Sequence, residues 1–189
     1  TWMHAGRAVI FTTANDVAAC NGDILAALDK KMAEHPDAKA LLLSSVSYMD
    51  GHALDMERAG SLCRARGVDL VVDAAQSLGA LPIDVRAAHV SFLCAPSYKW
   101  LCSGPGLGVL FVSQAVLDRV GPGGAPTAGW FSQLREGVAD RNYELRPHAD
   151  ARQFHYGTPT FFRWRVAFKI ELQDKRRTFS GWSMSRPAT

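Results

Sequence analysis

Two short segments of the sequence contain polar residues of types that act in covalent catalysis. Asp73 and Gln76 stand in the first segment, and Ser97 and Lys99 stand in the second. A lysine amine that has lost its proton can attack an aldehyde, and partial burial favours that form by lowering its pKa. A carboxylate can keep a pyridine nitrogen protonated, so that the ring withdraws electrons. Gln76 could bond the phenolic oxygen of such a ring, and the Ser97 hydroxyl could bind a phosphate.

Each of these residues also has an ordinary structural interpretation when it is taken alone. Lys99 could extend along apolar surface with its amine in water, and Asp73 could be the N-cap of a helix. Gln76 could be a solvated turn residue. The glycine-rich stretch 104–108 precedes a strand and does not open a helix, so it is not a dinucleotide-binding motif. It is the combination of the four residues that favours a binding site.

The elements that must position these residues are short apolar strands and amphipathic helices. The apolar spacing of Ile24, Leu28 and Met32 predicts one helix, with Asn21 or Asp23 as its N-cap. The apolar residues from Leu54 to Cys63 predict a second helix, which Gly67 is expected to end. A further short helix is expected over 114–119. The strands lack alternation, which is typical of strands buried on both faces; they are expected at 8–12, 40–46, 70–73, 90–95 and 107–112.

This order of strands and helices predicts an α/β fold with a mainly parallel sheet flanked by helices. In such sheets, ligands bind beyond the carboxyl ends of the strands. Asp73 closes one predicted strand, and Ser97 and Lys99 follow another. We therefore expect the two segments to meet at one edge of the sheet.

Composition narrows the class of protein. The chain has 189 residues, of which 48% are hydrophobic and 21% charged, and its net charge is +3. These values predict a folded domain with a core, and the lack of a long apolar run predicts no membrane partner. The four cysteines lack zinc-ligand spacing, so we expect no metal site, reduced thiols and a cytoplasmic location.

The end of the chain differs from the rest in charge. Residues 163–189 contain seven Lys or Arg and two Asp or Glu. Because this segment has no repeat and no nucleic-acid motif, we interpret it as a change of composition and expect no nucleic-acid partner. The expected division is a partial large domain over 1–162 and an atypical basic tail over 163–189, which a truncation or a change of reading frame would explain.

Three stretches together resemble the class V aminotransferase family of fold type I pyridoxal 5′-phosphate (PLP) enzymes. They are Val-Val-Asp-Ala-Ala-Gln-Ser-Leu-Gly-Ala-Leu-Pro-Ile-Asp-Val (71–85), Ser-Tyr-Lys-Trp-Leu-Cys-Ser-Gly-Pro-Gly-Leu-Gly-Val-Leu-Phe-Val (97–112) and Ala-Arg-Gln-Phe-His-Tyr-Gly-Thr-Pro-Thr (151–160). The resemblance covers about residues 40 to 162. It implies the large domain of a PLP-dependent transferase fold, PLP as cofactor and an amino acid as substrate.

The resemblance also implies a role for each candidate residue. Asp73 would pair with the pyridinium nitrogen, Gln76 would contact the phenolic oxygen, and Ser97 would bind the phosphate. Lys99 would form the aldimine with PLP and carry protons. Thr158 would reach the partner's cofactor phosphate across the interface of a homodimer.

The resemblance leaves the reaction open and implies that the large domain is incomplete. Residues 98–101 and 129–131 are similar to kynureninases, and the former also to isopenicillin-N-epimerase-like proteins, whereas Asp-Ala-Ala-Gln is closer to cysteine desulfurases. The family's N-terminal phosphate turn and its C-terminal small domain have no counterpart in the sequence. The expected function is therefore a PLP-dependent enzyme acting on an amino acid. The alternatives are a kynureninase-like C–C hydrolase and an inactive fragment or interaction module of the same fold.

Overall fold

A computed structural model of the chain describes residues 12, 14–103, 106–125, 131–134 and 146–155. Its centre is a four-stranded sheet in the order β1-β2-β3-β4. The first three strands are parallel, and β4 runs antiparallel to β3. The predicted α/β fold with a mainly parallel sheet is confirmed. The strands are β1 (Ala40–Ser44), β2 (Asp69–Asp73), β3 (Val90–Pro96) and β4 (Gly108–Val112).

The helices begin and end largely where side-chain caps predict. The Asp23 carboxylate accepts from the Ala26 amide at 3.0 Å, so Asp23 and not Asn21 is the N-cap of the second helix. Gly67 ends the third helix with a φ of 65°, a left-handed conformation that glycine adopts without strain. The helices are α1 (Ala14–Ala18), α2 (Ile24–Glu34), α3 (Met56–Arg66) and α4 (Gln114–Val120), followed by a short 3-10 helix over Ala151–Phe154.

The main core lies between one face of the sheet and helices α2 and α3. Leu70 and Val72 of β2 are fully buried there, and Leu93 of β3 is 2% exposed. The helices contribute apolar side chains at the spacing that the sequence shows, with Leu25, Leu28 and Met32 from α2. Burial of this face holds the strand ends in a fixed arrangement.

The opposite face of the sheet is much more exposed in the described part of the chain. Leu42 of β1 is 63% exposed and Leu110 of β4 is 46% exposed, and Cys94 of β3 is also exposed. The prediction that strand 40–46 is buried on both faces is therefore wrong for the described residues. Side chains alternate along a strand, and only the inward set, such as Leu43, contacts the core.

Three further elements differ from the sequence prediction or fall outside the described residues. The first strand ends at Ser44, and Val46 forms only an isolated bridge with Ala53. Helix α1 was not expected from the sequence pattern. Of the strand predicted over 8–12, only Thr12 is described. No helix in the described part is long and apolar enough to cross a membrane.

Candidate functional site

The carboxyl ends of the three parallel strands lie side by side. Ser44 of β1 pairs in register with Asp73 of β2, and Asp73 pairs with Cys94 of β3. The segment with Ser97 and Lys99 follows β3 directly. The two segments singled out in the sequence therefore meet at one edge of the sheet, as expected from the rule for parallel sheets.

A cavity of about 180 Å³ opens at this edge. Three of the predicted site residues, Asp73, Gln76 and Lys99, line it together. The remaining lining comes from Ala75 and from three residues at the end of β1, namely Ser44, Val46 and Tyr48. A carboxylate, an amide and an amine thus surround one space that a small molecule can enter.

Asp73 is held in place by its own turn. Its Oδ1 accepts from the Ala75 amide at 2.9 Å, which fixes the side chain at the end of β2. Its other oxygen, Oδ2, accepts no hydrogen bond from the described residues. One carboxylate oxygen of Asp73 is therefore available for a ligand. Burial raises the pKa of the neighbouring Cys94 thiol, and the negative charge of the Asp73 carboxylate raises that pKa further.

Lys99 stands on the loop that joins β3 to β4. Its side chain is half-buried and makes no hydrogen bond or ion pair with the residues that the structure describes. No ion pair within 4.0 Å joins Lys99 to Asp73, so the amine of this cavity-lining lysine is unengaged among the described residues.

Ser97 lies at the start of the same loop and does not line the cavity. It is only 3% exposed, its amide donates to the Leu107 carbonyl at 3.1 Å, and its hydroxyl donates there at 2.9 Å. In this structure its hydroxyl holds the two ends of the lysine loop together. Its role as a phosphate ligand stays a prediction, and Thr158 lies outside the described residues.

The two loops that form the site are packed against each other at Gly79. Its φ is 97°, and a Cβ at this position would lie 2.8 Å from the Trp100 carbonyl oxygen. Only a glycine fits this close approach without displacing the main chain next to Lys99. The turn with Asp73 and Gln76 and the loop with Lys99 are thereby held at a fixed separation.

Sequence reasoning missed the contribution of β1. Ser44, Val46 and Tyr48 line the cavity, yet none of them stood out as a catalytic type. The signal that could have found them is positional, since they follow a predicted strand at the edge where Asp73 follows the next one.

The residues at this cavity fit the cofactor that the sequence resemblance implies. PLP presents an aldehyde to an amine, a ring nitrogen to a carboxylate and a phenolic oxygen to a hydrogen-bonding group. Lys99, Asp73 and Gln76 supply these three partners around one space, and each has an unengaged polar atom. In the described part of the chain, no cluster of three or more His, Cys, Asp or Glu residues could hold a metal ion.

The mainly parallel α/β sheet, with its candidate site at the carboxyl edge, matches the fold of the fold type I PLP proteins. A sequence model of that class, Aminotransferase class-V, matches residues 16–166. The chain belongs to the class V aminotransferase family. The match supports the predicted cofactor, since PLP is the cofactor of this family.

Individual relatives show the same family from two directions. The chain is 34% identical over 143 residues to a kynureninase of Shouchella clausii (strain KSM-K16), covering 75% of this chain and 33% of that protein. It is similar in structure to the cysteine desulfurase of Thermococcus onnurineus NA1, with a TM-score of 0.56, 28% identity, and coverage of 72% of this chain and 32% of that one. The cystine C-S lyase C-DES shares the fold, with a TM-score of 0.60, 24% identity, and coverage of 73% and 35%.

The chain spans about a third of the length of these relatives. The match to kynureninase and the match to a desulfurase agree on the family and differ on the reaction. The activity, substrate and partners of the whole protein are therefore matters for a proposal.

Proposed function

We propose that this chain forms the cofactor-holding part of a PLP-dependent enzyme that acts on an amino acid, with Lys99 as the residue that binds the cofactor covalently. The observation that carries the proposal is the meeting of Asp73, Gln76 and Lys99 on one cavity at the carboxyl edge of the sheet. Asp73 and Gln76 share one turn after β2, whereas Lys99 lies on a separate loop after β3. Their convergence, together with the family match, supports a binding site and not three unrelated polar residues.

Each residue has a distinct task in this proposal. When PLP is bound, its protonated ring stabilises negative charge at the α-carbon of an amino acid. The Asp73 carboxylate would hold the proton on the ring nitrogen, while its Oδ1 stays bonded to the Ala75 amide. The Gln76 amide would donate to the phenolic oxygen. Lys99 would supply the amine that holds the cofactor through its aldehyde carbon, and after the substrate's amino group has taken its place there, the free amine would move a proton at the substrate's α-carbon.

The proposal extends to the assembly and location of the enzyme. We propose a homodimer in which Ser97 and the partner's Thr158 contribute to phosphate binding, and an atypical basic tail over 163–189. The four cysteines are free, which supports a reducing compartment such as the cytoplasm.

The direct test is trapping of PLP on Lys99. The purified chain is mixed with PLP, its visible absorbance is recorded, and the adduct is reduced with borohydride and located by peptide mass spectrometry. We expect the label on the peptide with Lys99 and its loss in Lys99→Ala. Lys39→Ala is the matched control, because Lys39 is an exposed lysine away from the cavity.

One outcome of this experiment would favour an alternative to the proposal. Label spread over surface lysines, unchanged in Lys99→Ala, would sink the cofactor assignment for this chain. It would favour the inactive fragment or interaction module, because a site without its phosphate contacts holds PLP weakly.

A kynureninase-like C–C hydrolase is the second candidate, and the identity of 34% to a kynureninase favours it. Ser97-Tyr98-Lys99-Trp100-Leu101 also resembles that branch. The enzyme loaded with PLP is incubated with kynurenine and, separately, with cysteine, and the products are identified by mass spectrometry. Cleavage of the carbon–carbon bond in kynurenine supports the hydrolase, whereas sulfur release from cysteine alone contradicts it.

A further inference from the structure

We propose that the buried hydroxyls of Ser45 and Ser77 form a hydrogen-bonded serine pair that positions Asp73 and Gln76 for the cofactor. This inference rests on the proposed function, because it assigns positioning residues to that same site. Ser45 is 4% exposed and Ser77 is 3% exposed, and their Oγ atoms are 2.6 Å apart. Neither side chain lines the cavity, so both act through their neighbours.

Ser45 joins the end of β1 to the end of β2. Its amide donates to the Asp73 carbonyl at 3.0 Å, and its hydroxyl lies 3.3 Å from the same oxygen. Ser45 stands between two cavity-lining residues, Ser44 and Val46, and its own side chain is buried. The main chain of Asp73 is therefore tied to the end of β1, which also lines the cavity.

Ser77 ties the next turn to the same point. It follows Gln76 directly, its amide donates to the Ala74 carbonyl at 3.1 Å, and its hydroxyl lies 3.4 Å from that carbonyl. The Leu78 amide also donates to the Ala74 carbonyl, at 2.9 Å. The residues from Asp73 to Leu78 thus form one bonded turn with Gln76 inside it.

The two hydroxyls can satisfy each other in two ways. Ser45 donates to Ser77 while Ser77 donates to the Ala74 carbonyl, or Ser77 donates to Ser45 while Ser45 donates to the Asp73 carbonyl. In both cases the two protons are used, and a buried hydroxyl left without its partner would be costly. The pair therefore couples β1 to the turn that presents Asp73 and Gln76.

The test compares the full chain with Ser45→Ala, Ser77→Ala and the double variant. Ser91→Ala is the matched control, because the Ser91 hydroxyl also joins two neighbouring strands, donating to Asp69 at 2.8 Å between β3 and β2, at the strand ends away from the cavity. We expect the double variant to raise the Kd for PLP about fivefold, as loss of about one buried hydrogen bond implies. We also expect it to move the pH midpoint of the bound cofactor's absorbance, whereas Ser91→Ala leaves both unchanged.

Hydrogen exchange separates failure of this inference from failure of the proposed function. The amides of Ala75, Ser77 and Leu78 are expected to exchange about fivefold or more faster in the double variant than in Ser91→Ala, with or without PLP. If the unchanged chain does not bind PLP but these amides exchange faster in the double variant, the proposed function fails while the positioning role of the serine pair is supported. If these amides, the Kd and the pH midpoint change no more than in the control, the two serines are ordinary packing and the inference is overturned.

Discussion

At the scale of single residues, the structural role of Asp73 can be separated from the chemical role proposed for it. Its Oδ1 bonds the Ala75 amide, while Oδ2 has no partner among the described residues. Asp73→Asn keeps an oxygen for the Ala75 amide and loses the charge, so we expect the free energy of unfolding to change by less than about 1 kcal/mol. We expect the Kd for PLP to rise about tenfold or more, since the ring nitrogen loses its counter-charge. Denaturant unfolding and a PLP titration measure the two effects.

Asp73→Ala provides the comparison for that prediction. It removes both the charge and the hydrogen bond to the Ala75 amide, so its free energy of unfolding should be lower than that of Asp73→Asn. Its Kd for PLP should rise to a similar extent. Equal PLP affinity in Asp73→Asn and the unchanged chain would exclude a role for the charge.

A second prediction at this scale concerns Cys63. Burial, together with a smaller contribution from the Asp69 carboxylate, raises the pKa of its thiol to about 11. Because the folded-state pKa lies above the ordinary value of 9.0, the stabilising contribution is complete below pH 9 and is lost as the pH rises through 11. We expect iodoacetamide at pH 8 to leave Cys63 unmodified in the folded chain and to modify the exposed Cys102. Peptide mass spectrometry checks this, and alkylation of Cys63 at the rate of Cys102 would contradict its burial.

At the scale of the elements, Gly79 controls the separation of the two site loops. Gly79→Ala places a Cβ 2.8 Å from the Trp100 carbonyl oxygen and also strains a positive φ. Gly51→Ala is the matched control, since Gly51 has a φ of 73° and open space around it. We expect about 1 kcal/mol of destabilisation in the control and about 2 kcal/mol or more in Gly79→Ala. The affinity for PLP should fall only in Gly79→Ala. Denaturant unfolding and a PLP titration of both variants measure the two quantities. Equal losses of stability and of PLP affinity in the two variants would show that the loops are not tightly packed at Gly79.

The elements also show what the sequence could and could not predict. Caps are local, so Asp23 and Gly67 marked their helix ends, and Asp73 and Lys99 were placed by the rule that parallel strands end at one edge. The exposure of Leu42 was not predictable, because an apolar run carries no information on which face is covered. The Ser45–Ser77 bond was missed because it joins residues far apart in sequence, and serines in loops are common.

At the scale of the whole molecule, the site is built from one edge of a sheet that is covered unevenly. Helices α2 and α3 bury one face, whereas Leu42 and Leu110 remain exposed on the other in the described part. Parallel sheets normally have both faces covered. Among the described residues, the strand ends at the site are supported mainly from the α2 and α3 side, by the core that contains Leu70, Val72 and Leu93.

The proposed homodimer makes a prediction for the whole molecule that single variants cannot test. If Lys99 and the partner's Thr158 serve the same cofactor, Lys99→Ala and Thr158→Val damage opposite halves of each site. A mixed dimer then has one site with both residues intact, so co-refolding equal amounts should restore about a quarter of the covalent PLP sites. Borohydride trapping measures the restored sites, with each variant refolded alone as the control. If Thr158→Val alone weakens PLP and mixing restores nothing, Thr158 acts within its own chain, whereas normal PLP binding in Thr158→Val would remove it from the site.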